Sequence, residues 1–216
     1  MIEKIFEEIE SKYTCTAVDV GDFKDVRVEG AKIQVAAYDV EEFGRMSTVS
    51  VRGFLGLWKM QSVILNPMEV DMPIYYYHRH DKKGNELCMV EIIDTFLNKR
   101  EMASLTAVLD QYKSIPDLEV KENWYDEIKL SCGFLKSVKK SEEAVLDELT
   151  LAHLREYLKL AEIAPKCGKT RKKEAASDFV EGLVEQSGIA VLQLFRSYYD
   201  KKVATKLCRD ILFGMK

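Results

Sequence analysis

The alternation of hydrophobic and polar residues divides the chain into a helical start, a β-rich stretch and a helical end. Residues 2–12 carry apolar residues at helical spacing, which predicts a short first helix. From 14 to 94, β-branched and aromatic runs separated by turn residues are typical of successive strands. After Phe96 the spacing is again helical, apart from one alternating run over 128–134 that predicts a further strand.

Turn motifs within the β-rich stretch predict hairpins. Glu29-Gly30 predicts one turn, and the glycine-containing segment Asp81–Asn85 predicts another. Between them, residues 54–65 predict a long apolar strand. Because the links between strands are too short for crossover helices, we expect the sheet to be antiparallel.

The longest predicted helix begins at Ser141, which is expected to cap it, and ends before Pro165. Shorter helices are predicted over 98–112, 174–186, 188–198 and 200–213. Helices on both faces of a central antiparallel sheet are the simplest way to cover this much apolar surface. The sequence therefore predicts an α+β fold, a three-layer α/β/α sandwich, in a single domain spanning 1–216.

Composition excludes several classes of protein. With 32 basic and 36 acidic residues the formal net charge is −4, so no global positive field attracts nucleic acid or anionic lipid. No apolar run approaches the ~20 residues of a membrane span, and the acidic amphipathic start does not resemble an export signal. The 5 cysteines include no CxxC pair. Such cysteines are typical of free thiols in a reducing cytoplasm. From the charge balance and the lack of an apolar span, no nucleic-acid or membrane partner is expected.

Two histidines stand out in the β-rich stretch. His78 and His80 are two residues apart on a predicted strand, so their side chains share one face with Tyr76. Zinc binding needs three or four ligands, and no third is marked here, so no metal site is predicted. An ordinary histidine pKa near ~6.5 suits proton donation at neutral pH. The alternative is a polar strand end with both rings in solvent.

Other candidate residues have competing roles. His153 lies on an apolar helical stripe and is expected to be a hydrogen-bonded core residue. Asp94 ends a strand, where it either caps the turn into Phe96 or projects a carboxylate into a cavity. The tyrosines at 75–77 place aromatic rings on both faces of one strand, which suits core packing and also a flat conjugated ligand.

A basic cluster follows the longest helix in what is predicted to be a loop, and it consists of Lys166, Lys169, Arg171, Lys172 and Lys173. On an acidic protein such a patch is either a solvated loop, a docking surface for an acidic partner, or a contact for a carboxylated ligand. The chain lacks nucleotide-binding glycine motifs and the common hydrolase and metalloprotease motifs. Electrons for any redox reaction would therefore come from another protein.

The order of several segments resembles that of the ferredoxin-dependent bilin reductases and the related red chlorophyll catabolite reductases. The segments that carry the resemblance are Met68–Tyr75, Glu86–Thr95, 123–135, Glu142–Ala161 and Tyr198–Gly214. The likeness as a whole covers about residues 30–214, in the family's order. The resemblance depends on this collinearity more than on any single motif.

The resemblance implies an open-chain tetrapyrrole between the sheet and the C-terminal helices. It also implies that no cofactor is tightly bound, that reduced ferredoxin supplies electrons and that side chains supply protons. The family's proton-relaying aspartate falls on His78, its preceding histidine falls near Gln61, and its second acid falls near Ser187. The family's usual acid pair is therefore missing, and His78 with His80 or Asp94 is expected to take over proton supply.

We therefore expect a bilin-reductase-like protein that reduces a linear tetrapyrrole with electrons from a ferredoxin. The expected catalytic residues are His78 and Asp94. The expected ligand contacts are Gln61, Tyr76, His80 and Ser187, and the expected docking residues for an acidic ferredoxin are Lys169, Arg171, Lys172 and Lys173. The alternatives are a non-catalytic tetrapyrrole carrier or sensor, and an interaction protein whose pocket is filled by side chains. The enzymatic hypothesis requires an open cavity lined by His78.

Overall fold

The computed structural model describes residues 1–28, 30–53, 58–82, 84–119, 122–186 and 188–216. Within these ranges, eight strands form one sheet in the order β1-β3-β4-β5-β6-β7-β8, with β2 also paired to β3, and every pair is antiparallel. The strands are β1 Cys15–Val18, β2 Val26–Val28, β3 Ala31–Val40, β4 Gly44–Gly53, β5 Lys59–Pro67, β6 Ile74–Lys82, β7 Asn85–Ile93 and β8 Lys129–Lys139.

Helices cover both faces of this sheet. They are α1 Ile2–Glu10, α2 Ala103–Gln111, α3 Glu143–Glu162, α4 Lys169–Gln186, α5 Ala190–Tyr198 and α6 Lys201–Lys206, which continues into a π-helical segment Leu207–Leu212. Helices α1 to α3 pack on what we call the N-terminal face, and α4 to α6 pack on the C-terminal face. This arrangement confirms the predicted α+β sandwich with an antiparallel sheet.

The tyrosines at 75–77 show how one strand serves both layers. Side chains alternate along a strand, so Tyr76 belongs to the core of the C-terminal face while Tyr75 and Tyr77 belong to the core of the N-terminal face. All three are at most 1% exposed. The ring of Tyr75 lies 4.9 Å from that of Tyr157 on α3. Core packing therefore accounts for Tyr75 and Tyr77.

Arg79 on β6 fixes the centre of the sheet from the N-terminal face. Its guanidinium lies 3.0 Å from Glu86 on β7 and 2.9 Å from Glu143 on α3, and it also pairs with Asp147 on α3. The Arg79 side chain is only 10% exposed. A planar guanidinium that holds three carboxylates sets the position of β6 relative to α3.

Several predicted boundaries differ from the structure. Helix α4 begins at Lys169, so most of the predicted basic loop is helical. A 3₁₀ turn over Lys140–Glu142 precedes α3, and no side chain caps that helix, so the predicted cap at Ser141 is wrong. The start of the predicted strand 54–65 and the predicted turn residue Glu29 lie outside the described residues. The helices in the described parts of the chain fall short of the length and apolarity that crossing a bilayer requires.

Candidate functional site

Three side chains on the C-terminal face form a buried hydrogen-bonded chain across β5 and β6. Ser62 lies opposite His78 in the β5–β6 register, and the Ser62 Oγ is 3.0 Å from the His78 Nδ1. The His78 Nε2 is 3.0 Å from the His80 Nδ1. His78 is only 4% exposed, whereas His80 is half-buried. The predicted sharing of one face by the two histidines is therefore seen, but neither ring is fully in solvent.

Burial controls the charge of His78. Removal from water and the neighbouring His80 lower the pKa of His78 to about 3. The imidazole is therefore neutral at pH 7, with one N–H donor and one acceptor nitrogen. That combination suits a position between a hydroxyl and a second imidazole. The expectation that His78 holds a ready proton because of its ordinary pKa is not met.

Tyr76 extends this polar group along β6. Its ring stacks on that of His78, with 6.2 Å between the ring centroids and 29° between the planes. Burial raises the pKa of the Tyr76 hydroxyl, which stays protonated throughout the physiological range. Among the residues that the structure describes, no group of three or more His, Cys, Asp or Glu side chains is arranged to hold a metal ion.

The structure does not bring Asp94 to the histidines. The Asp94 Oδ1 accepts a hydrogen bond of 3.2 Å from the backbone N–H of Phe96, and the carboxylate lies 3.5 Å from Lys99. Its neighbour Ile93 pairs with Ile74, four residues before His78, so the two sites are separated by more than about 13 Å along the strand. Asp94 is a turn cap, and the expectation that it supports His78 is wrong.

Gln61 also lies away from the histidines. It precedes Ser62 on β5, and adjacent strand residues face opposite sides of the sheet, so Gln61 lies on the N-terminal face near Arg79 and Glu86. On β5 it is Ser62 that contacts His78, and the expected ligand contact of Gln61 stays a prediction. Ser187 lies outside the described residues, and its predicted role stays a prediction.

The predicted basic docking cluster includes a core residue. Lys172 is 2% exposed, donates to the carbonyl of Thr95 and lies 3.6 Å from the Asp71 carboxylate. Asp71 also accepts the backbone N–H groups of Leu97 at 2.7 Å and Asn98 at 3.1 Å. Lys172 therefore ties α4 to the loops at the end of the sheet, and its expected role in docking is wrong because it is inaccessible.

The other members of that cluster lie at the surface. Lys169 pairs with Glu69 at 3.1 Å, Lys173 donates to the backbone carbonyl of Lys216, and Arg171 is exposed. Their expected role in docking stays a prediction.

Among the described residues, side chains fill the space beside His78 where an open slot was expected. His78 does not line any of the main cavities that the described residues form. Above the centre of the sheet, side chains of α4 and α5 pack in one core with Tyr76, among them Val180, Val191 and Phe195. The requirement for a pigment-sized cavity lined by His78 is therefore not met by the described residues.

A groove of about 520 Å³ opens along the edge strand β8 and is lined from both faces of the sheet, with Leu109 and Asp110 of α2 and the following Lys113 on the N-terminal side. Its volume lies within the ~300–1,000 Å³ of small-molecule sites. We call it the β8 groove. Its lining from the C-terminal face comprises Met89, Glu91, Lys129, Ser131, Gly133 and Leu135. In the β6–β7 register Met89 lies opposite His78, and Glu91 lies opposite Tyr76. The groove thus reaches the strand next to the histidines.

Glu91 is a buried carboxylate in this groove that the sequence argument did not identify. It is 5% exposed, and its two oxygens accept the Tyr125 hydroxyl at 3.0 Å and the Lys129 ammonium at 3.2 Å. Burial raises the pKa of Glu91, although Lys129 and Tyr125 act in the opposite direction. The available signal was a single charged residue inside the apolar run 88–93 of a predicted strand.

Neither the family models nor the curated protein sequences compared with the chain give a match. Among solved structures, the chain is similar to that of selenomethionine phytochromobilin synthase from tomato in complex with biliverdin. The TM-score is 0.80 at 12% identity, over 99% of this chain and 82% of that chain. The two proteins share a fold. The resemblance to bilin reductases is thus supported at the level of the fold.

Proposed function

We propose that the chain binds a linear tetrapyrrole on the C-terminal face of its sheet and reduces it with electrons from a ferredoxin. The observation that carries this proposal is the hydrogen-bonded group of three side chains, Ser62, His78 and His80. Burying polar groups is costly unless they are hydrogen-bonded, and these three side chains bond one another in a layer that is otherwise largely apolar. The fold is shared with a protein crystallised with biliverdin.

The pigment occupies the β8 groove with one edge towards His78. Met89 separates the groove from the imidazole, and neighbouring strands are only ~4.8 Å apart. Binding also requires the side chains of α4 and α5 above Tyr76 to move, because they fill the space over the centre of the sheet.

His80 and His78 act as a proton relay in this proposal. Reduction of one double bond consumes two electrons, delivered singly by ferredoxin, and two protons from water. Negative charge that develops on the pigment raises the pKa of a nearby imidazole. The less buried His80 takes up a proton and passes it across the 3.0 Å contact to the His78 Nε2. The proton on the His78 Nδ1 then passes to the Ser62 hydroxyl, 3.0 Å away, whose own proton goes to the pigment.

The test is to add biliverdin to the purified chain, record the absorption spectrum, and then add reduced ferredoxin without oxygen. We expect a spectral shift on binding and loss of the pigment band with repeated turnover. His78→Gln is expected to abolish turnover. The matched control is His153→Gln, because His153 is equally buried but lies on the N-terminal face, where it bonds Tyr75 and the Cys132 carbonyl. Full turnover in His78→Gln would contradict the relay, and absence of a spectral shift would contradict binding.

A non-catalytic tetrapyrrole carrier or sensor is the second candidate. The low pKa of His78, about 3, favours it, because a neutral buried imidazole is a poor acid. Binding of biliverdin without turnover in the anaerobic experiment identifies the carrier. For the reductase, we propose that Lys169, Arg171 and Lys173 form the surface that meets an acidic ferredoxin.

A further inference from the structure

Arg45 on β4 carries buried hydrogen-bond donors that the described part of the chain does not satisfy. Its side chain is only 10% exposed, and its Nη2 lies 3.0 Å from the Asp39 carboxylate. Among the residues that the structure describes, no acceptor bonds the Arg45 Nε or Nη1. A buried charged group with unused donors is costly to stability. Because the Asp39 side chain is 63% exposed, its ion pair with Arg45 contributes little in return.

A pocket of about 570 Å³ adjoins Arg45 on the C-terminal face, towards the edge of the sheet that is opposite to β8. We call it the Arg45 pocket. Its volume lies within the range of small-molecule sites. One wall is the π-helical segment Leu207–Leu212, which contributes Asp210 and Ile211. Short π-helical segments are frequent at functional sites.

The lining of the Arg45 pocket is apolar with a charged rim. The rings of Phe23 and Tyr199 meet edge to face with 5.9 Å between their centroids. The aliphatic lining residues are Val18, Val20, Val203 and Ile211. The charged lining residues besides Arg45 are Asp19, Asp22, Asp210, Lys206 and Lys216. Three carboxylates against two ammonium groups disfavour a dianion such as phosphate, whereas the single buried guanidinium matches one carboxylate.

Gly214 covers the guanidinium of Arg45. A Cβ at Gly214 would lie 2.8 Å from the Arg45 Nε, and the φ of +63° also favours glycine. The flanking residues are held in place, because the Phe213 carbonyl accepts the Asn66 Nδ2 at 2.7 Å and the Met215 N–H donates to the Arg209 carbonyl at 2.7 Å. A small displacement of Gly214 is therefore enough to open the Arg45 Nε to the pocket.

We propose that the Arg45 pocket binds a monocarboxylate with an apolar body, whose carboxylate bonds the unused donors of Arg45 and whose body packs on Phe23 and Tyr199. The carboxylate supplies the partner that the guanidinium lacks. Hydrogen bonds between two charged groups are about twice as strong as neutral ones, and the apolar body is removed from water at the same time.

This site is separate from the buried histidines, and the inference does not depend on the proposed function. Arg45 lies four residues along β4 from Val49, and Val49 lies opposite Ser62 on β5. Four residues of strand span about 13 Å. The β8 groove lies at the other edge of the sheet.

The test is thermal denaturation of the chain with phenylacetate, with phenylacetamide as an uncharged compound of the same shape, and with inorganic phosphate. We expect a saturable rise in Tm with phenylacetate and none with the other two. Arg45→Met is expected to bind phenylacetate about 10- to 100-fold more weakly. Without ligand it is expected to be at least as stable as the wild type, because it removes a buried charge whose partner is exposed. Arg45→Lys, with fewer donors, is expected to bind with intermediate affinity, and it provides the test if Arg45→Met does not fold.

The matched control is Arg52→Met. Arg52 lies on the same strand but is exposed, seven residues away on the opposite face, and its variant is expected to bind phenylacetate as the wild type does. Absence of a rise in the wild type, or an equal rise in Arg45→Met, would overturn the inference. A clear loss of stability in ligand-free Arg45→Met would also overturn it, because the ion pair with Asp39 would then account for Arg45.

Biliverdin separates this inference from the proposed function. Protein saturated with phenylacetate is expected to bind biliverdin with unchanged affinity. Competition between the two compounds would assign Arg45 to the pigment and overturn the separate site. If biliverdin does not bind while phenylacetate does, the proposed function is overturned and this inference stands.

Discussion

Acidification is expected to destabilise the protein through its two most buried histidines. The pKa is lowered from 6.5 to about 3 for His78, by burial and by His80, and to about 4 for His153, by burial. Below pH ~6.5 both histidines become protonated in the unfolded chain but stay neutral in the folded protein. The free energy of unfolding therefore falls as the pH falls from ~6.5 towards the folded pKa values, and it is unaffected above ~6.5. Between pH 7 and pH 5, linkage gives a loss of about 2 kcal/mol for each histidine.

Urea denaturation at pH 7 and pH 5 measures this loss. His78→Gln is expected to lose about 2 kcal/mol less than the wild type between the two pH values. The double variant His78→Gln with His153→Gln is expected to recover about twice that amount, because the two residues lie on opposite faces of the sheet and their effects should add. An equal pH dependence in the wild type and His78→Gln would refute the assignment of His78 as a buried neutral imidazole.

Two further predictions concern packing. Lys172→Met leaves the Asp71 carboxylate buried without its ammonium partner, and we expect a loss of about 3 kcal/mol in urea denaturation, against less than about 0.5 kcal/mol for the exposed Lys169→Met. Equal losses would contradict the buried pair. Gly182→Ala would place a Cβ 2.2 Å from the Trp124 ring, so we expect a loss of about 1–3 kcal/mol and a changed tryptophan emission spectrum. Wild-type stability and emission would show that the ring moves aside freely.

The sheet and its helical layers were predictable because they depend on local periodicity. The alternation along β6 and the glycine turn at Gly84 determine strand and hairpin without reference to distant residues. The start of α4 was not predictable in this way. Lys172 is helical and buried because Asp71, about a hundred residues earlier, supplies its charge partner, and no local pattern records that contact.

The site was predictable only in part, for a reason of register. A shift of one residue moves a side chain to the other face of a sheet, so an approximate position on β5 does not distinguish Gln61, which faces Arg79, from Ser62, which faces His78. The shared face of Tyr76, His78 and His80 followed from their spacing alone. Glu91 depends on a register shift between β7 and β8, which the sequence does not reveal.

The ion pairs of Arg79 have a consequence for how the protein makes room for a ligand. Because the Arg79 guanidinium connects β6 and β7 to α3, we expect the N-terminal layer to hold the part of the sheet that carries His78 rigidly in place. Space for a ligand next to His78 must therefore come from the C-terminal layer, through displacement of α4 to α6. Backbone amides of those helices should therefore exchange with deuterium sooner than those of β6, and an occupant should slow their exchange most.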